Sequence, residues 1–193
     1  MLKTPSSSDF EKAPEGMHIG RCYQVVDLGT RHDDKFDKAT HKCRIGWELP
    51  TKLMKDGKPF MVNKQYTLSH HEKSQLRKDL ESWYGKRFNT DELNKAGGFD
   101  LEKIIGRPCM INVVHSEDGA YANVGAITPM VEGLECPPAI NRPVVFSFQS
   151  FNQQIFASFS EKMQQFLMES NEYKERTGQT TGNVEDIESD IPF

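Results

Sequence analysis

The sequence lacks a hydrophobic run long enough to cross a membrane. None of its apolar runs approaches the roughly 18 residues that a transmembrane helix needs. The N-terminal residues are polar and contain proline, without the apolar core of a secretory signal peptide. We therefore interpret residues 1–16 as a disordered arm and expect a cytoplasmic protein.

Cysteine is scarce, and its spacing is not that of a metal or redox site. The chain has 4 cysteines, and no two of them form a CxxC pair. Without a sign of secretion, we expect reduced, partly buried thiols. His41 with Cys43, and the loop aspartates Asp33, Asp34 and Asp37, do not make a ligand set, so we predict no metal site. The cysteines are Cys22, Cys43, Cys109 and Cys136.

The motifs of common enzyme classes are also missing. The chain has no GxxxxGK[ST] phosphate loop, no GxGxxG, no HExxH and no GxSxG. We predict no catalytic residues and no cofactor, which favours a binding protein over an enzyme.

Basic and acidic side chains are unevenly distributed along the chain. The net charge is −4. Residues 129–193 carry 4 basic and 10 acidic side chains, whereas residues 42–78 carry 9 basic and 3 acidic ones. A basic body is thus joined to an acidic C-terminal third.

Alternation and turn residues predict five strands. In residues 41–49 the apolar positions, Cys43 to Leu49, alternate with polar ones. Asp56-Gly57 and Asp118-Gly119 mark turns between strands. The predicted strands are residues 19–28, 41–49, 59–68, 109–115 and 120–127.

A helical period separates the third and fourth predicted strands. Ser69 and Glu72 have capping-box spacing, and a helix is expected to follow as far as Gly85. A second short helix is expected between Asp100 and Gly106. Three strands, a helical insert and two strands are the plan of the OB-fold, a mainly β, five-stranded barrel. Other small β-barrels remain open on periodicity alone.

The domain organisation follows from these elements. We assign residues 17–130 to the OB-fold domain and the Pro-rich residues 131–151 to a linker. Residues 152–170 are predicted to form an amphipathic helix with a Phe-rich face, which either packs on the barrel or forms a dimer or partner interface. Residues 171–193 are predicted to be a disordered acidic tail.

The most basic part of the sequence coincides with the surface that an OB-fold uses for single-stranded nucleic acid. That surface is the exposed face of strands two and three with its flanking loops. Basic groups there would neutralise phosphates, and aromatic rings would stack on bases. The candidate nucleic-acid-binding residues are Arg21, Tyr23, Lys42, Arg44, Trp47, Lys52, Lys55, Lys58, Phe60, Lys64, Tyr66 and Tyr121.

The aromatic candidates have a competing role, because a barrel also needs aromatic residues in its core. Trp47 shares its strand face with Ile45 and Leu49, which favours the core. Phe60, Lys64 and Tyr66 lie in register on strand three, and the groove and the core are equally compatible with them.

The chain ends "NVEDIESDIPF", an acidic run followed by Ile-Pro-Phe. This ending resembles the C-terminal tip of bacterial single-stranded DNA-binding proteins. The resemblance implies that the terminal Phe enters a pocket of a partner protein while the acids steer the encounter. The implied partner-binding residues are Glu185, Asp186, Glu188, Asp190, Ile191, Pro192 and Phe193.

The body carries a second resemblance, over roughly residues 13–130. The stretches "APEGMHIGRCYQVVDLGT", "RIGWELP", "YTLSHHEKSQLRKDLESWYG" and "IGRPCMINVVH" resemble a phage-encoded single-stranded DNA-binding protein. The resemblance implies an OB-fold that coats DNA during phage replication, recombination or repair in an infected bacterial host. The helical insert and the Phe-rich helix depart from the bacterial proteins, so their tetramer is not carried over.

We therefore expect a sequence-independent single-stranded DNA-binding protein that recruits replication, recombination or repair proteins through its tip. Two alternatives remain. One is a single-stranded RNA-binding or strand-annealing protein with the same barrel, and the other is a protein-interaction adaptor that binds no nucleic acid.

Overall fold

The alternating segments of the sequence form one open, mainly antiparallel sheet. The computed structural model describes residues 11–33 and 37–178, and this part of the chain is mainly β with six strands. The five predicted strands are confirmed, and Val144–Phe146 adds a sixth. The strands are β1 Gly16–Asp33, β2 Lys38–Leu53, β3 Pro59–Thr67, β4 Pro108–His115, β5 Ala122–Thr128 and β6 Val144–Phe146.

Strand β1 is the central strand of the sheet. The hydrogen-bonded order is β3-β2-β1-β4-β5. One edge of β1 pairs with β2 over Arg21–Asp33. Its other edge pairs first with β4, over Gly16–Arg21, and then in parallel with β6, over Gln24–Val26. Every other strand is therefore positioned directly or indirectly by β1.

The main core lies on the inner face of the sheet and is closed by a helix. The apolar face predicted for β2, from Cys43 to Leu49, is buried there. Helix α1, Gln75–Tyr84, adds Leu76, Leu80 and Trp83 to the same core. The rings of Trp47 and Trp83 lie 5.8 Å apart between centroids.

Helix α1 also bridges the two free edges of the sheet. Strands β3 and β5 approach each other but are not hydrogen-bonded. Lys64 Nζ and Tyr66 Oη of β3 each lie 2.8 Å from Asp79 Oδ2 of α1. Ser82 Oγ of α1 donates to the carbonyl of Ile127 in β5 at 2.7 Å. The helix thus joins strands that backbone pairing leaves apart.

The helical insert differs in detail from the prediction. The cap of α1 is Ser74, whose Oγ accepts from Arg77 N, so the predicted Ser69–Glu72 capping box was wrong. The predicted end at Gly85 is confirmed, with φ of 64°. A helix α2, Thr90–Lys95, was not predicted. The expected short helix after Asp100 is a 3₁₀ helix, Leu101–Ile104.

The predicted single helix of residues 152–170 is two helices. The helices are α3 Gln153–Ser158 and α4 Glu161–Met168, and Phe159 between them is extended, with ψ of 156°. Ser160 caps α4 through its hydroxyl. A third helix, α5 Asn171–Thr177, occupies the start of the predicted tail.

The Phe-rich helices pack on the outer face of β1. Val26 and Leu28 of β1 form a second core with Phe146, Phe156 and Leu167. Partly buried aromatic residues of the same segment surround it. The apolar stripe therefore has a partner within its own chain, and a homodimer through it stays a prediction.

Helices α4 and α5 also hold the end of β1 by polar contacts. Glu172 accepts from Thr30 N at 2.7 Å and from Thr30 Oγ1 at 2.6 Å. Arg31 pairs with Glu169 at 3.0 Å. Gly29 has φ of +71°, and a Cβ there would lie 2.5 Å from Ser170 Cβ, so this close approach requires glycine.

The predicted terminal segments fall largely outside the described residues. This holds for residues 1–10 of the arm and for residues 179–193 of the tail. Within the described part of the arm, Ala13 is buried in the main core. Among the described residues, no helix is both long and apolar enough to span a membrane.

The docking of α5 is expected to depend on pH. Burial opposes ionisation of Glu172, but the hydrogen bonds from Thr30 outweigh it and hold the carboxyl's pKa below its ordinary value of 4.5. Because the docked state has the lower pKa, the carboxylate's contribution to docking is present above pH 4.5 and is lost as the pH falls through the lowered pKa. We expect the NMR signal of the Thr30 amide to shift in this acid range.

Two variants test this assignment. Glu172→Gln should shift the Thr30 signal already at neutral pH and abolish the acid transition. Glu175→Gln, at an exposed position of the same helix, should leave both unchanged. An acid transition that persists in Glu172→Gln contradicts the prediction.

Candidate nucleic-acid interface

The outer face of β2 and β3 is polar and partly basic. On β2 this face consists of the residues that alternate with the core, and opposite residues of β3 share it. The cross-strand pairs are Lys42 with Thr67, Arg44 with Gln65, Gly46 with Asn63, and Glu48 with Met61. Glu48 is buried, so the solvent-accessible part of these four pairs carries two bases and no acid.

Arg44 is held in place by neighbours on β1. Its Nη2 donates to Gln24 Oε1 at 3.0 Å. Burial lowers the pKa of Arg44, but a guanidinium remains protonated at any ordinary pH. Its charge is therefore available at a fixed position on the sheet.

Tyr23 lies over Gly46. A Cβ at residue 46 would be 3.3 Å from Tyr23 Cε1 and 3.2 Å from Gln24 Cβ. Burial raises the pKa of Tyr23, and the nearby Arg44 partly opposes that rise. The absence of a side chain at Gly46 lets the ring lie close to the sheet beside Arg44.

The end of β2 and the loop that follows it add three lysines at one end of this face. Lys52, Lys55 and Lys58 are all exposed. Lys58 Nζ pairs with Asp56 at 3.0 Å, which reduces its contribution to the local positive charge. Lys42 lies near the opposite end of β2, so the basic side chains reach both ends of the face.

Four predicted site residues point inward instead. Trp47 is 0% exposed in the main core, so it is not a stacking residue. Phe60 packs against that core, and Tyr66 and Lys64 bind Asp79 of α1. Burial raises the pKa of the Tyr66 phenol, and the negative charge of Asp79 adds to the effect. Lys64 and Tyr66 thus join β3 to α1.

Arg21 and Tyr121 do not contribute side chains to the β2–β3 face. The guanidinium of Arg21 donates to the carbonyls of Gly106, Cys136 and Pro137, which gives it a structural role. Tyr121 is 69% exposed in the turn between β4 and β5, on the far side of β1 in the strand order. The structure therefore brings together Tyr23, Lys42 and Arg44, with Lys52, Lys55 and Lys58 at one end.

The predicted partner-binding tip is outside the described residues. Its candidates are Glu185, Asp186, Glu188, Asp190, Ile191, Pro192 and Phe193. On the described face, sequence reasoning missed Gln24, Asn63 and Gln65. Strand alternation is enough to place Asn63 and Gln65 on the outer face of β3. The hydrogen bond between Gln24 and Arg44 is visible only in the fold.

The described residues hold no cluster suited to metal binding, and burial raises the pKa of each of their cysteine thiols. Among residues 11–33 and 37–178, no group of three or more His, Cys, Asp or Glu could hold a metal ion. Burial raises the pKa of Cys22 and of Cys43 to about 12, which keeps both thiols protonated.

The comparisons with known proteins give no match. No protein-family model matches the chain, and neither a curated protein nor a solved structure shows significant similarity to it.

Two lysines on the same pair of strands should behave in opposite ways. Lys64→Ala removes a half-buried ion pair with Asp79 and should cost about 1.5–3 kcal/mol of unfolding free energy, without weakening binding to oligo-dT. Lys42→Ala, at an exposed position, should change stability by less than about 0.5 kcal/mol and should weaken binding.

Urea unfolding and an oligo-dT titration of both variants measure the two effects. If Lys64→Ala binds oligo-dT more weakly under conditions where it is fully folded, the prediction is wrong and Lys64 belongs to the interface.

Proposed function

We propose that this chain is a sequence-tolerant single-stranded DNA-binding protein with an OB-fold. The observation that carries the proposal is the outer face of β2 and β3, with Tyr23, Lys42 and Arg44 together and no exposed acid among its cross-strand pairs. The strand order, the helix between β3 and β4, and the approach of β3 to β5 support a partly open barrel.

The chemistry of this face suits a single strand without favouring a sequence. Lys42 and Arg44 would neutralise phosphates, and counterion release would make the affinity depend on salt. Tyr23 and the exposed Met61 offer surfaces on which unpaired bases can lie. Asn63 and Gln65 carry amides that can both donate to and accept from base edges of any kind.

The remaining parts of the proposal come from the sequence. The acidic tip, with Phe193 as its anchor, would recruit replication, recombination or repair proteins. The two resemblances support a role in phage DNA metabolism inside a bacterial host. The protein would act by coating DNA and by recruitment, without catalysis.

The test is a titration with end-labelled oligo-dT at several salt concentrations. A labelled oligonucleotide is preferable to intrinsic fluorescence, because Trp47 and Trp83 are both buried. We expect binding that weakens with salt and that duplex DNA does not displace. The double variant Lys42→Ala/Arg44→Ala should lower the magnitude of the salt slope by about 1.4, for two phosphate contacts to a single strand.

A charge-matched control is available on the helical insert. Lys95→Ala/Lys103→Ala removes two exposed lysines away from the β2–β3 face and should leave the slope unchanged. Absence of salt-dependent binding to any polynucleotide would overturn the proposal in favour of an adaptor. Stronger competition by oligo-U than by oligo-dT would point to RNA.

The acidic tail should compete with DNA for the basic face. Removal of residues 179–193 deletes four acids and leaves α5 intact, since Gly178 is its C-cap. We expect this truncation to tighten oligo-dT binding at low salt and to have little effect at high salt.

A full-length variant separates charge from chain length. In it, Glu185, Asp186, Glu188 and Asp190 are replaced by their amides, and it should behave as the truncation does. Unchanged affinity in both would show that the tail does not compete.

A further inference from the structure

A fully buried carboxylate pins an irregular segment to the outer face of the sheet. Glu48 is 0% exposed, and it lies on the outer side of β2. Its Oε1 accepts from Ile140 N at 2.9 Å. Its Oε2 accepts from Asn141 N at 2.7 Å and from Asn141 Nδ2 at 2.8 Å. Three donors offset the cost of burying this charge.

The cross-strand neighbour of Glu48 holds the same segment by its carbonyls. Arg21 of β1 is directly opposite Glu48. Its Nη2 donates to Pro137 O at 2.8 Å and to Cys136 O at 3.2 Å. One residue pair thus binds the carbonyls of residues 136 and 137 and the amides of residues 140 and 141. We name residues 136–142 the strap. The strap belongs to the region that sequence analysis treated as a linker.

The course of the strap brings it beside the candidate interface. Asn141 lies on Glu48, and three residues later Val144 pairs with Gln24. Gln24 in turn accepts a hydrogen bond from Arg44, and its side chain lies against Gly46. Arg142 lies between these two fixed points and is exposed. It is therefore held next to the face that carries Tyr23 and Arg44.

We propose that the strap is one wall of the single-strand groove and that Arg142 binds a DNA phosphate there. This rests on the proposed function and deepens it. Glu48 is a positioning residue, because it would act on DNA only by holding the strap. Arg142 adds a third basic side chain to Lys42 and Arg44. It lies at the side of the face that borders β1.

The direct test uses variants of Arg142, whose exposure makes its replacement safe for folding. Arg142→Ala should weaken oligo-dT binding about 3- to 10-fold at low salt and lower the magnitude of the salt slope by about 0.7. Arg142→Lys keeps the charge and should restore most of both. Lys95→Ala, which removes an exposed charge from α2, should match the parent protein.

The role of Glu48 is tested by coupling. Glu48→Gln replaces an acceptor oxygen with an amino group that faces a strap N–H, which should release the strap. Arg142→Ala should then cause less than a twofold further loss in the Glu48→Gln background. In Glu48→Gln without DNA, amide hydrogen exchange in residues 136–142 should be faster than in the parent protein. The amides of α1 should keep their protection.

The outcomes separate the inference from the function on which it rests. If the parent protein does not bind oligo-dT, the proposed function fails, and the groove wall with it. If it binds but Arg142→Ala is as tight as the parent, only the inference fails. Unchanged exchange in Glu48→Gln, or a full additive loss in the double variant, overturns the positioning role. If Glu48→Gln does not fold, Arg142→Ala and Arg142→Lys still decide the phosphate contact.

Discussion

The pairing of β1 on both edges is the constraint on which the rest of the structure depends. Its 18 residues join β2 on one side and both β4 and β6 on the other. Its inner face contributes to the main core, and its outer face is covered by Phe146 and Leu167. A strand paired on both edges and packed on both faces leaves little exposed surface over residues 25–29. The exposed polar face therefore lies mainly on its neighbours β2 and β3, with Tyr23 of β1 at its border.

The sequence was informative wherever one face of an element is apolar throughout. The inner face of β2 was predicted correctly because Ile45, Trp47 and Leu49 alternate with polar residues. Strand β3 gave no such contrast, since Lys64 and Tyr66 lie on the inner face and Asn63 and Gln65 on the outer one. What places Lys64 inside is Asp79, on a helix that follows β3. A partner that only the fold brings near cannot be read from alternation.

The C-terminal region was hardest to predict for the same reason. Its Phe-rich stripe keeps a helical period through Phe159, although the helix stops there. The caps Ser160 and Ser170 signal the breaks locally, whereas the contacts of Arg21 and Glu48 with the strap join residues about a hundred positions apart. Candidate residues on β2 could be found from charge and alternation alone. Their neighbours on the strap could not be found in this way, because an irregular segment has no periodic pattern of apolar and polar residues.

The docking of α5 fixes where the acidic C-terminal segment leaves the folded body. Glu172 binds Thr30, and Thr30 is paired with His41, next to Lys42. Residue 179 thus follows a helix attached at the Lys42 end of the β2–β3 face. For groups tethered so close to a binding surface, effective concentrations are on the order of millimolar. Under the proposed function, a partner that captures the tip would withdraw this local anion, so partner recruitment and DNA binding to the face would be thermodynamically linked.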